Sequence, residues 1–245
     1  MKRFKNEQAN KMAASIKPLF KAEANGESTE ITIYGDIGES WWGESISAKD
    51  IENALKNVET DTITIRLNSP GGDAFDGIAI YNQLKNHKAK VTAYVDGLAA
   101  SAASIIAMSA DELIMNTGSM MMIHEASTFT WGTKADIKKT LNALEGIDES
   151  IADIYMTRYT GERETLNDLV ESETWFTASA AVEAGLADRA NTDQTDEDEI
   201  ENLKAMIFNL QSEISNLKDP KSKEPEQKPA AIAKGNLSKL FLNLN

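Results

Sequence analysis

Ser101 lies in a run of small residues, Gly97-Leu98-Ala99-Ala100-Ser101-Ala102-Ala103-Ser104, and His124 follows 23 residues later. Together these two residue types can carry out acyl transfer. A serine hydroxyl is a poor nucleophile at neutral pH and needs an adjacent base, which in turn needs an orienting group. Small neighbours let both a base and a substrate approach the hydroxyl closely. The chain has only two histidines, so the choice of base is narrow. His87 stands in the polar run Lys85-Asn86-His87-Lys88 and reads as a solvated helix end. Upstream, Asn68-Ser69-Pro70-Gly71-Gly72 offers backbone N–H donors for an oxyanion. Taken singly, each feature has a plainer reading. Serine is a preferred helix cap, a histidine after Met120-Met121-Met122-Ile123 can be a core residue, and paired glycines commonly form a turn. Their order along one chain is what points to a serine peptidase.

The elements that must position these residues follow from pattern. Glu30–Gly35 alternates as a strand does, Thr62–Leu67 is a β-branched strand, and Lys90–Val95 reads as another. Glu112–Met115 and Ser119–His124 read as short strands. Between them, Ile51 and Leu55 have helical spacing behind a Ser47 N-cap, with an acid three residues on. Ile78, Tyr81 and Leu84 repeat in the same way, and residues 101–109 read as a small-residue helix. Ser101 therefore falls where a strand, a tight turn and a helix meet. Residues 135–160 read as one long helix, and Thr177–Gly185 as a short one closed by Gly185. This alternation predicts an α/β fold with a mostly parallel sheet.

The ends differ from the middle. Residues 1–21 carry six basic side chains against one acid. Met12, Ile16 and Phe20 lie four apart, as on an amphipathic helix, and residues 22–28 read as a polar linker. The first 28 residues thus form a basic arm, either docking on an oligomer or serving a peripheral role. Asp193–Glu201 holds six acids, and Ile200, Leu203, Ile207, Leu210, Ile214 and Leu217 then follow a heptad. That stretch suits either a partner helix over 200–217 or packing back on the core. Lys, Glu and Pro dominate residues 219–236, which read as disordered, and Leu237–Leu244 is a short apolar motif. The expected domains are 1–28, 29–191, 192–218 and 219–245.

Composition excludes several classes. The formal net charge of −14 disfavours nucleic-acid binding. With no cysteine, thiolate chemistry and disulfides are excluded, and a reducing cytoplasm is compatible. Two separated histidines make a structural zinc site a poor fit. No apolar run has the length of a membrane span, and no signal-peptide core follows the basic start. The chemistry proposed for Ser101 needs no cofactor and no metal.

The ordered set Asn68-Ser69-Pro70-Gly71-Gly72, Gly97–Ala102, Met122-Ile123-His124 and Ala181–Asp188 resembles the Clp-type serine peptidases over residues 30–190. The resemblance implies a ClpP/crotonase-like spiral of β-β-α units with a projecting helical handle over 134–161. A C-terminal coiled-coil helix and a disordered tail would be additions to that fold. It further implies Ser101 as nucleophile, His124 as general base, and the N–H groups of Gly72 and Ala102 as oxyanion hole. Gly71 and Asp73, with the segment after His124, would flank a scissile polypeptide, and the subunits would form a homo-oligomeric ring. The family's third member, an aspartate, aligns with Thr174, which cannot supply a charge. Glu173, Glu171 or Thr174 itself could orient His124, or the site could be a dyad.

The basic arm, the heptad helix, the tail and the loop pair Trp41-Trp42 look most like the head-maturation (prohead) proteases of tailed phages. That reading predicts cleavage of scaffold and capsid proteins in the cytoplasm or inside the prohead. The alternatives are an ATPase-partnered degradative peptidase, and a non-proteolytic crotonase-type acyl-thioester or scaffold protein. Ser101 and His124 together argue against the last.

Overall fold

The computed structural model describes residue 4, residues 7–38 and residues 44–191. The acidic segment and heptad at 192–218, the tail at 219–245 and the Trp41-Trp42 pair lie outside the described residues.

Eight strands form one mixed sheet in the order β1-β2-β3-β4-β5-β8, with β6 and β7 branching from β4. These are β1 (Leu19–Asn25), β2 (Ser28–Tyr34), β3 (Thr62–Ser69), β4 (Lys90–Ala100), β5 (Glu112–Asn116), β6 (Met120–Ile123), β7 (Thr174–Thr177) and β8 (Arg189–Asn191). Successive strands from β2 to β5 are parallel, and α2 (Ala48–Leu55), α3 (Ala74–Lys85) and α4 (Ala102–Ala107) connect them. The antiparallel pairs are β1 with β2 and β6 with β7. One face buries Ile31, Ile33, Ile63, Ile65, Val91 and Val95 against the helices. β3 alternates buried and half-buried residues along its length, as its β-branched pattern requires.

Ser47 caps α2 in a full capping box: its side chain accepts from Asp50 N–H, and Asp50 accepts from Ser47 N–H at 2.9 Å. Gly185 closes α7 (Ala178–Glu183) at φ 76°. There Leu186 N–H reaches Ala181 O at 2.9 Å and Gly185 N–H reaches Val182 O at 2.9 Å, the paired bonds of a Schellman motif.

Three sequence expectations change. The polar stretch 22–28 is not a linker, because residues 19–25 form β1 and turn through Gly26 into β2. Every residue of β1 is exposed, so its sequence carries no alternation; backbone pairing alone holds it. The amphipathic helix expected through Phe20 ends early: α1 runs Glu7–Ala13, and Phe20 lies in β1. Pro18 stands between them, where it cannot continue a helix. The long helix stops at Met156, as α5 (Lys134–Met156), and a separate α6 (Arg163–Glu171) follows the turn at Gly161. β7 and β8 are too short to show a period.

On the other face, an ionic network ties four strands together. Arg66 (β3) donates through Nε to Asp96 Oδ2 at 2.9 Å and through Nη2 to Oδ1. Tyr34 Oη (β2) donates to Asp96 Oδ2 at 2.6 Å, and Asn116 Nδ2 (β5) to Oδ1 at 2.7 Å. Three donors on one half-buried carboxylate make it the register pin of the sheet. Asp96→Ala is expected to cost about 2 kcal/mol in urea denaturation, because Arg66 and Tyr34 lose their acceptor together.

Candidate active site

β4 brings the nucleophile candidate into place by forking. Thr92–Val95 pair with β5, whereas Leu98–Ala100 pair with β6. The register against β3 also shifts between Leu67 and Ser69, leaving extra residues on β4. Such a bulge bends and re-aims the strand. Gly97 sits at the bend because a Cβ there would lie 2.8 Å from Asn68 Oδ1.

Ser101 follows β4 directly and precedes α4. Its backbone is at φ 54°, ψ −126°, a left-handed conformation that a side chain rarely adopts. Strain of this kind costs about 1–3 kcal/mol and persists only where the surroundings enforce it. Here they do. Ser101 N–H donates to Met122 O at 2.9 Å, and Ser101 O accepts from Ser104 N–H at 2.9 Å and Ser104 Oγ at 2.6 Å. Ser104 Oγ lies 2.7 Å from Tyr155 Oη, so α5 braces the turn from below. Burial pushes the Tyr155 phenol well above its ordinary range, keeping it neutral. The Ser101 hydroxyl makes no capping bond to α4. It meets His124 Nε2 at 2.8 Å instead. The parallel pairing Ala100↔Met122 explains how residues 23 apart meet, since it sets Ser101 abreast of Ile123 and next to His124.

Gly71 and Gly72 pack on this turn. A Cβ on Gly71 would lie 2.7 Å from Ser101 Cβ and 2.5 Å from Ala100 O, and its φ is 83°. A Cβ on Gly72 would lie 2.0 Å from Ile37 O. Ile37 is bonded on either side of Gly72, through Gly71 O and Asp73 N–H, both at 3.0 Å. The N–H of Gly72 itself therefore turns to the opposite side of the chain. Ala102 is the first residue of α4, so its N–H has no partner within the helix. Gly72, Ser101, Ala102 and His124 all line one cavity of about 400 Å³. Ile105, Leu144, Ile147 and Ile151 give it an apolar floor. Asp73 lines the same cavity, with its Oδ1 accepting from Asp76 N–H at 2.9 Å as the cap of α3.

The three acid-position candidates separate. Thr174 Oγ1 donates to Leu169 O at 2.6 Å, so that hydroxyl is spent on the end of α6. Glu171 lines a second cavity with Glu125 and Asp148, apart from Ser101. Glu173 holds φ 58° in the turn before β7. The β6–β7 register ends at Ile123↔Thr174, which makes Glu173 the next residue opposite His124. Its Oε1 lies 3.4 Å from Trp175 Nε1.

Sequence reading missed Asp148. Its Oδ1 accepts from Ala126 N–H at 2.7 Å and so fixes the segment that leaves His124. The only signal was an acid set between Ile147 and Ile151 on the inner side of a helix. Among the described residues no group of His, Cys, Asp and Glu could hold a metal ion, and no helix is long and apolar enough to cross a membrane.

A strained serine at a strand–helix elbow, bonded to an imidazole and flanked by two backbone N–H groups, is the arrangement that serine hydrolase chemistry requires. Comparison with known proteins gives the family. The model of the Clp protease family matches residues 27–194. The chain is 27% identical over 164 residues to ATP-dependent Clp protease proteolytic subunit 1 of Chlamydia abortus, covering 62% of this chain and 85% of that one. It is 31% identical over 154 residues to the subunit 1 protein of Protochlamydia amoebophila, covering 60% and 75%. A ClpP1 point mutant from Listeria monocytogenes has the same fold, with TM-score 0.58 and 21% identity over 67% of this chain and 92% of that one. The chain belongs to the Clp protease family, and is a serine peptidase.

Burial raises the Asp148 pKa, opposed by the hydrogen bond from Ala126 N–H. The folded state thus binds this proton more readily than the unfolded chain. Ionised Asp148 costs stability above the folded pKa, and that cost vanishes below the unfolded one. Asp148→Asn is therefore expected to gain on the unaltered protein as pH rises from about 3.5 to neutrality, read from paired thermal melts.

Proposed function

We propose that the chain is a serine endopeptidase that cuts polypeptides through an acyl-enzyme on Ser101. The contact of Ser101 Oγ with His124 Nε2 at 2.8 Å carries this reading. His124 takes the hydroxyl proton as Oγ attacks the scissile carbonyl carbon. The N–H groups of Gly72 and Ala102 stabilise the resulting oxyanion. As the C–N bond breaks, His124 returns the proton to the leaving amine. Water then attacks the ester by the same route in reverse. Glu173 orients His124 from the cross-strand position, because Thr174 is committed elsewhere. Asp73 borders the substrate on one side and the segment from Glu125 onward borders it on the other, whereas Gly71, expected beside Asp73, does not line the cavity and packs on the Ser101 turn instead. The apolar floor formed by Ile105, Leu144, Ile147 and Ile151 accepts an apolar substrate side chain.

The names of the relatives favour one role over the other. Those names read ATP-dependent protease proteolytic subunit, which supports a degradative peptidase working with an ATPase more than head maturation. In this reading the chain works in the cytoplasm as a homo-oligomeric ring. None of the relatives named above is a phage protease. The maturation reading keeps one observation: the family match leaves 26 residues before it and 51 after it. In the ring, the outer part of α5 and its approach, with Phe129 at 83% and Trp131 at 91% exposure, form the handle by which rings meet.

A fluorophosphonate is expected to label Ser101, with labelling lost in Ser101→Ala; labelling at Ser104 would overturn the assignment. His124→Ala should cut peptide turnover by about 10⁴-fold or more while leaving the melting transition in place. Glu173→Gln should lower kcat by about 10²-fold or more, and an unchanged rate would remove it as the orienter. Intact mass followed over time separates the roles. Self-trimming in the tail supports maturation; stimulation of long-substrate cleavage by an added Clp ATPase supports degradation.

A further inference from the structure

The face of the sheet opposite the main core carries a small apolar cluster beside the site. Pairing sets Ala100, Met122 and Trp175 abreast across β4, β6 and β7. Residues two apart on a strand share a face, so His124 leaves β6 on the side of Met122. Phe4 closes this cluster from the N-terminal arm. It is 3% exposed, packed with Ala13, Ala100 and Met122. Its ring meets Trp175 edge-on at 5.3 Å and 79°, and meets the His124 imidazole at 6.4 Å and 69°. The segment is clipped in place: Asn10 Nδ2 donates to Phe4 O at 2.7 Å, and Phe4 N–H donates to Asn10 Oδ1 at 3.1 Å.

Two observations decide what this contact does. The His124–Ser101 bond is intact at 2.8 Å with Phe4 seated. A cavity of about 400 Å³ remains at Ser101 with Phe4 seated as one of its lining residues. A plug would fill the cavity or break the bond, and Phe4 does neither. Its ring instead packs edge-on beside the imidazole.

We propose that Phe4 is a positioning residue for His124, which makes the N-terminal arm a working part of the active site. The proposal rests on the assignment of His124 as the general base. Phe4 touches no reacting atom. It restricts the imidazole to the orientation that points Nε2 at Ser101. Small displacements of a catalytic group are costly, so loss of this support acts on turnover rather than on binding.

The test uses the full-length protein in its native assembly, with peptide kinetics, fluorophosphonate labelling and NMR of histidine rings labelled with carbon-13. Phe4→Ala is expected to lower kcat about tenfold and leave KM within about twofold. Phe4→Leu, which keeps apolar volume, should recover most of that loss. Asn10→Ala, which releases the clip without entering the cluster, should give a smaller loss of the same kind. The His124 ring signals should move in Phe4→Ala while those of His87 stay. Turnover of Phe4→Ala at or above the unaltered rate would overturn the proposal, as would a loss that tracks lowered melting and is not recovered by Phe4→Leu. Absence of labelling in the unaltered protein would sink the assignment of Ser101 and His124, and the proposal with it. Normal labelling with an indifferent Phe4→Ala would sink the proposal alone.

Discussion

The backbone of Ser101 is held in a conformation it would not choose, and most of the site is arranged around that constraint. β4 delivers the chain, α4 takes it away, and the turn between them leaves the hydroxyl outside both hydrogen-bond ladders. Both neighbouring peptide groups are occupied: Met122 O holds the N–H, while Ser104 and Ile105 hold the carbonyl. The small residues beside it follow from the same geometry. Gly71 and Gly77 would each place a Cβ within 3 Å of this turn. The alanines and glycines that first suggested an accessible hydroxyl are thus equally a packing requirement.

Much of this was legible in the sequence, because local pattern encodes it. The parallel strands announced themselves by β-branched runs. The cap at Ser47 and the stop at Gly185 announced themselves by side-chain type. Ser101 and His124 were recognisable by order and spacing. What stayed hidden depends on partners distant in sequence. β1 has no buried face, so nothing in its side chains marks it as a strand. β7 acquires its identity only by pairing with β6. Asp148 looks like any helical acid until Ala126 is set against it.

The position behind His124 shows the same limit. Alignment placed Thr174 where an acid was expected, and a threonine there could have been a weak substitute. The hydroxyl bonds Leu169 O instead, so its role is to finish α6 and start β7. Its neighbour Glu173 takes up the left-handed turn that the chain needs at that point. Which of the two residues stands opposite His124 depends on the β6–β7 register, and no side-chain pattern reports that register.

The fork in β4 has a consequence for how the molecule comes apart. The long inner half of β4 is zipped to β3 and β5, whereas β6 is joined to β4 by three residue pairs and to β7 by four. Nucleophile and base candidates therefore belong to regions of unequal thermodynamic cohesion. Ser101 ends a strand anchored deep in the sheet, and His124 ends a short ribbon that can fray first. Separation of the pair needs only that ribbon to lift, long before the sheet melts, so heat inactivation and global unfolding become distinct events in this fold.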